Sequence, residues 1–211
     1  MRIRITFKKL GALRYTGHLD LHKLWERAAR RAELPLAYSQ GFHPQPKMNI
    51  AAALPLGFSS RCEVLDMRLE REIQLDGLRE KLQGTLPTGI QVTDVESVDE
   101  RAPTLQTQVV SAEYEVSLAD AGFGSEVTRK IESVLEAESI IRTRRGKEYD
   151  LRPLIEAVDL LDGKICMKLA AREGATGRPE EVLDMLGIAF EDTRIERTRL
   201  IFLSSFGGDM A

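Results

Sequence analysis

The sequence predicts an α+β fold of two similar halves in tandem, each a ferredoxin-like β-α-β-β-α-β unit with an antiparallel sheet. Three observations predict it. Period-2 hydrophobic alternation opens and closes the first half, helix-period apolar stripes mark the first helix of each half, and the order strand, helix, strand, strand, helix, strand occurs twice. The two runs meet at Arg101-Ala-Pro-Thr, so the expected organisation is residues 1–100, a linker at 101–108, and residues 109–211.

In the first half, residues 2–9 alternate Ile3, Ile5 and Phe7 with Arg4, Thr6 and Lys8, as a half-buried strand does. After a turn at Leu10-Gly11-Ala12, Thr16 is placed to cap a helix reaching about Ala32. Its apolar face carries Leu21, Leu24, Trp25, Ala28 and Ala32, and the opposite face carries Lys23, Arg27, Arg30 and Arg31. Residues 35–40 are expected as a short strand and 41–60, with Pro44, Pro46, Pro55 and two glycines, as a long loop. A strand at 61–70, a helix at 75–86 stopped by Pro87 and Gly89, and a strand at 90–98 complete the half.

The second half repeats the pattern with a strand at 110–118 and a helix at 125–137 striped by Val127, Ile131, Val134 and Leu135. Strands follow at 140–144 and 165–169, then a helix at 178–186 and a last strand around 194–203. The Asp162-Gly163 pair between Val158-Asp-Leu-Leu and Lys164-Ile-Cys-Met is a two-residue hairpin signal. It adds a strand that the simple repeat does not need, so the second half is expected to be elaborated by an extra hairpin.

Composition narrows the functional classes. The 211 residues are 43% hydrophobic and 30% charged, ordinary for a globular protein, and no run approaches a membrane span. The N-terminal alternation lacks the continuous apolar region of a signal peptide, so a cytoplasmic location is expected. Cys62 and Cys166 are too few for a disulfide scaffold or a zinc site, and two buried free thiols are expected. The net charge of −3 hides a gradient: residues 1–50 carry ten basic side chains against three acidic ones, a net of +7, which leaves −10 for the rest. That asymmetry suits a face that meets a polyanion.

The richest candidate for function is the loop Tyr38-Ser-Gln-Gly-Phe-His-Pro-Gln-Pro-Lys-Met-Asn49. Its prolines stiffen the backbone, and Gln40, Gly41, Phe42, His43, Gln45, Lys47 and Asn49 supply polar groups, an aromatic and a flexible turn for a nucleotide or other ligand. The basic helix face (Lys23, Arg27, Arg30, Arg31) and a second basic group (Arg142, Arg144, Arg145, Lys147, with Arg152 beyond it) are candidate phosphate contacts. His43 or His18 as general base, with Lys47 stabilising a phosphorane, would serve RNA cleavage. His18 and His22 share a helix face at the spacing of a metal-binding pair, but the motif supplies no third ligand, and no metal or other cofactor is expected. P-loop, GxGxxG, GxSxG and clustered iron–sulfur cysteine motifs are absent, as is the aromatic run of an RNA-binding RRM sheet.

Three stretches carry a resemblance. Leu13-Arg-Tyr-Thr-Gly-His-Leu-Asp-Leu, the run from Arg27 to Lys47, and Ala53-Leu-Pro-Leu-Gly resemble a bacterial radical-SAM-associated domain family of unknown function. Tyr149-Asp-Leu-Arg-Pro-Leu and Arg178-Pro-Glu-Glu-Val-Leu-Asp-Met-Leu-Gly resemble its second half. Members stand free, or are fused to or encoded beside cobalamin-binding radical SAM proteins, often near a ribonuclease of the E/G type. Asparagine is usual in the family where this chain has His43, and histidine where it has Gln45. The resemblance implies a radical SAM partner and an RNA substrate. The expectation is therefore a non-catalytic accessory or substrate-recognition protein working on RNA. The alternatives are a metal-independent endoribonuclease, by analogy with paired ferredoxin-like folds, and a protein-docking scaffold.

Overall fold

The N-terminal alternation becomes strand β1 (Arg2–Lys9), whose Ile3, Ile5 and Phe7 are wholly buried on one side of a sheet. The computed structural model describes residues 1–118 and 123–203, and it divides into two units, Met1–Gln108 and Val109–Ala211. Both are mixed α+β, with antiparallel strand pairing throughout and few helices.

In the first unit β1 is central. It pairs with β3 (Ser59–Arg68) on one side and β4 (Ile90–Val98) on the other, and β2 (Met48–Ile50) adds to the far edge of β3, giving the order β4-β1-β3-β2. Because side chains alternate across a strand, the register that sets Ile3 opposite Met67 and Ile5 opposite Leu65 turns all four to one face. Helix α1 (His18–Arg31) lays Leu21, Trp25 and Ala29 on that face, and α2 (Leu78–Gln83) adds Leu78 and Leu82. Trp25 meets Phe7 edge to face, with ring centroids 4.8 Å apart and planes at 64°.

The same alternation sends Arg2 and Arg4 to the opposite face, where both are buried together with Asp66. Arg4 lies directly across from Asp66 in the β1–β3 register. Asp66 Oδ1 accepts from Arg4 Nε at 2.8 Å, and Oδ2 accepts from Arg2 Nε at 3.0 Å and Arg4 Nη2 at 3.1 Å. Arg2 also donates to the carbonyls of Ala102 and Pro103, at 2.7 and 2.9 Å. That tie holds the 101–108 segment, which contains a short helix, α3 (Leu105–Gln108), with Leu105 fully buried.

Two local expectations change in this unit. Residues 35–40 make only isolated bridges, Leu36 with Leu69 and Tyr38 with Pro46. The edge strand is instead β2, inside the segment expected as a loop; three residues behind two prolines are too few to show alternation. Nor does Thr16 cap α1. Gly17 is the N-cap, and the Thr16 carbonyl accepts from the buried Lys9 ammonium at 2.9 Å.

In the second unit β5 (Val109–Leu118) is central between β9 (Lys164–Arg172) and β11 (Thr193–Phe202), and β8 (Ile155–Leu161) pairs with β9, giving β11-β5-β9-β8. The two-residue strand β10 (Ala175–Thr176) also pairs with β9. Helices α4 (Ser125–Glu136) and α5 (Pro179–Leu186) bury Ile131 and Val134, and Val182, Leu183 and Leu186. Asp162 and Gly163, with φ of 50° and 72°, make the turn joining β8 to β9. The strand expected as the addition is thus part of the main sheet. The separate hairpin is β6 (Ile141–Arg144) with β7 (Lys147–Asp150), turning at Arg145 and Gly146. Burial explains the exchange: Ile155 and Val158 of β8 are buried, whereas no residue of β6 or β7 is. Cys62 and Cys166 are free and half-buried rather than buried. No helix among the described residues is long and apolar enough to cross a membrane.

Removing one member of a buried charge cluster strands the others. Asp66→Ala is expected to destabilise the protein by about 3–5 kcal/mol, read by urea unfolding, because two buried guanidinium groups lose their shared acceptor. A loss below ~1 kcal/mol would show that the cluster does not hold β1 to β3.

Candidate functional site

With Trp25 fixed inward, α1 presents Lys23, Arg27 and Arg31 outward at successive turns, each about 6 Å further along the axis. The three line an open groove of ≈ 520 Å³. Leu24, Leu86 and Pro87 add apolar surface, Gly84 and Thr85 come from the turn after α2, and Thr16 and Asp20 also line it. Thr85 Oγ1 bonds to the Ala28 and Leu82 carbonyls at 3.2 and 2.8 Å, which fastens that turn to α1. Among the described residues no ion pair engages Lys23, Arg27 or Arg31; the paired basic side chain of this helix is Arg30, 2.7 Å from Glu26. Three exposed cations without acidic partners add nothing to fold stability and leave their charge available to a ligand.

Arg30 has a different task. Its Nε donates to the Tyr38 hydroxyl at 3.2 Å and its guanidinium lies 5.9 Å from the Tyr38 ring centroid, linking α1 to the base of the following loop. That loop closes on itself. Ser39 N–H donates to the Gln45 carbonyl at 2.8 Å, Gln45 N–H donates to Ser39 Oγ at 2.9 Å, and Lys47 N–H donates to the Ala37 carbonyl at 2.8 Å. Pro46 is buried, while Gln40, Gly41, Phe42, His43 and Gln45 are exposed, as are Lys47 and Asn49 beyond them. Gly41 has φ of 134°, a region closed to other residues. Phe42 is fully exposed.

No hydrogen bond or ion pair among the described residues joins His43, His18 and Lys47. His18 opens α1 with its side chain largely open to solvent; partial desolvation by its surroundings holds its imidazole below the ordinary range, the neighbouring His22 adds to the shift, and Glu63 opposes it. His22 Nε2 lies 3.4 Å from the Met48 carbonyl. Among the described residues no three His, Cys, Asp or Glu side chains converge as a metal site.

The second basic group is largely engaged. Arg142 pairs with Asp184, and Arg144 pairs with Glu181 at 2.6 Å and donates to the Tyr149 hydroxyl at 2.9 Å, so the β6–β7 hairpin is pinned to α5. Arg152 donates to the Leu135 and Ile155 carbonyls at 2.8 and 3.0 Å. Arg145 and Lys147 remain exposed at the hairpin tip. The groove residues that sequence reasoning missed are Thr16, Asp20, Leu24 and the 84–87 turn. The turn lies more than fifty residues from α1 in the chain, and no local pattern links the two.

A family model described as "Uncharacterized protein conserved in bacteria (DUF2344)" matches residues 2–179, from β1 to the first residue of α5. No curated protein matches the chain.

The lowered His18 pKa has a signed consequence. The folded state binds a proton less readily than the unfolded chain, so this contribution to stability is complete above the ordinary imidazole pKa of ~6.5 and is lost as pH falls through it. Titration by NMR should place His18 below the ordinary imidazole range. His18→Gln should also shrink the fall in urea midpoint between neutral and mildly acidic pH. An ordinary His18 pKa would contradict the partial desolvation described.

Proposed function

The chain belongs to the DUF2344 family of uncharacterised bacterial proteins, and on that premise we propose that it is a non-catalytic accessory protein that holds an RNA strand along α1. The observation that carries this reading is the set of three unpaired cations, Lys23, Arg27 and Arg31, at one-turn spacing on the wall of a groove. Contacts of this kind supply affinity for a phosphate backbone without choosing its sequence. Leu24, Leu86 and Pro87 offer apolar surface to a ribose or base, and Asp20 and Thr16 offer acceptors for hydroxyl or amino groups. The radical SAM partner belongs to the same proposal and is supported by the sequence resemblance alone. With β6, β7 and β10 set aside, each unit has the strand order fourth, first, third, second, with every neighbouring pair antiparallel, which supports reading both as ferredoxin-like.

The accessory reading is favoured over an endoribonuclease because cleavage needs a base and a stabilising cation on one scissile phosphate. His43, His18 and Lys47 are separately exposed side chains with no bond joining them.

Fluorescence anisotropy of labelled RNA across a salt series tests the proposal. Affinity should fall steeply with salt. The variant Lys23→Ala/Arg27→Ala/Arg31→Ala should bind more weakly at low salt and lower the log–log slope by about 2, at ~0.7 per single-strand phosphate contact. No binding by the native protein at low salt would remove the RNA reading and leave a protein-docking module. For the partner, affinity capture from a bacterial lysate should recover a radical SAM protein, and recovery of none would count against that half.

A further inference from the structure

We propose that the 39–45 loop is a base-stacking platform, with Phe42 receiving one unpaired base, so that the RNA held by this protein is single-stranded at that point. The inference rests on the RNA reading above and specifies the form of the RNA. Three features carry it. Phe42 is 103% exposed, so its ring makes no packing contribution to the fold and presents apolar area to water. The backbone beneath it is fixed: the Ser39–Gln45 pair closes the loop with two hydrogen bonds, Pro44 and the buried Pro46 restrict it, and Arg30 ties its base at Tyr38 to the cationic helix. The ring's neighbours at the tip are Gln40, His43 and Gln45, which can donate to and accept from base edges.

The chemistry favours a base over a protein pocket. An apolar anchor for a protein groove is ordinarily flanked by further apolar contacts that keep water out, whereas every side chain beside Phe42 in this loop is polar, glycine or proline. A single aromatic with hydrogen-bonding neighbours next to a basic helix combines the two elements of single-strand binding, a stacking surface and a phosphate track. A base paired within a duplex has both faces covered by its neighbours and cannot be received by a lone ring.

The test compares a short oligouridylate with a fully paired RNA duplex of the same length, using the native protein, Phe42→Ala, Phe42→Trp and the triple variant of α1. Phe42 contacts no core residue, so its variants fold. Phe42→Ala is expected to lose about tenfold in affinity for the single strand with the salt slope unchanged, and to bind the duplex as the native protein does. Phe42→Trp should keep or strengthen single-strand binding. If Phe42→Ala binds the single strand at native affinity while the α1 variant loses it, the platform is wrong and the α1 reading stands. Equal losses on both RNAs would mean that the loop contacts backbone rather than a base. Loss of a captured protein partner with RNA affinity intact would reassign Phe42 to protein docking. No binding of either RNA by the native protein would overturn both readings.

Discussion

The contact of Trp25 with Phe7 sets the geometry of the first unit. An α-helix turns roughly 100° per residue, so fixing Trp25 against β1 leaves Lys23 and Arg27 each about 160° round the axis from it and Arg31 about 120°, all on the outward half of the helix. The cationic stripe is therefore a consequence of core packing rather than of any local feature of those three residues. Thr85 completes the arrangement by bonding to the Ala28 carbonyl, which brings the turn after α2 to the groove. A helix rolled by one residue would bury a charge and expose the indole.

The N-terminal quarter carries a net charge of +7, but its cations are divided among separate tasks. Arg2 and Arg4 share the carboxylate of Asp66 inside the fold, and Lys9 donates to the Arg14 and Thr16 carbonyls. Arg30 holds the loop through Tyr38 while paired with Glu26. Lys23, Arg27 and Arg31 keep solvent-facing charge on the groove. The same division occurs in the second unit, where Arg142, Arg144 and Arg152 secure the hairpin and the segment after it, leaving Arg145 and Lys147 exposed. A count of basic residues overstates the charge offered to a ligand in both cases.

Much of the first unit was legible in the sequence because its signals are long and periodic. The stripe of α1 buries one face; the alternation of β1 separates its apolar residues from Arg2 and Arg4, although both faces of that strand are covered. β2 was not legible, since three residues behind Pro44 and Pro46 have too little length to show a period. The Asp162-Gly163 turn was recognised by its chemistry, but the roles of the strands around it were not. Deciding them needed the pairing of β9 with β5, about fifty residues earlier, and the burial of Ile155 and Val158 that follows from it. Of the candidate site, the basic helix face and the exposed loop could be named from residue types. Which arginines are spent on ion pairs depends on tertiary contacts, and so does the second wall of the groove.

The most direct measurement of the central claim is amide chemical-shift mapping by NMR as a short oligoribonucleotide is added to the intact protein. Binding along α1 predicts perturbations in residues 23–31 and 84–87, extending into the 39–45 loop. Perturbations confined to residues 109–203, or none at all at saturating RNA, would contradict the account.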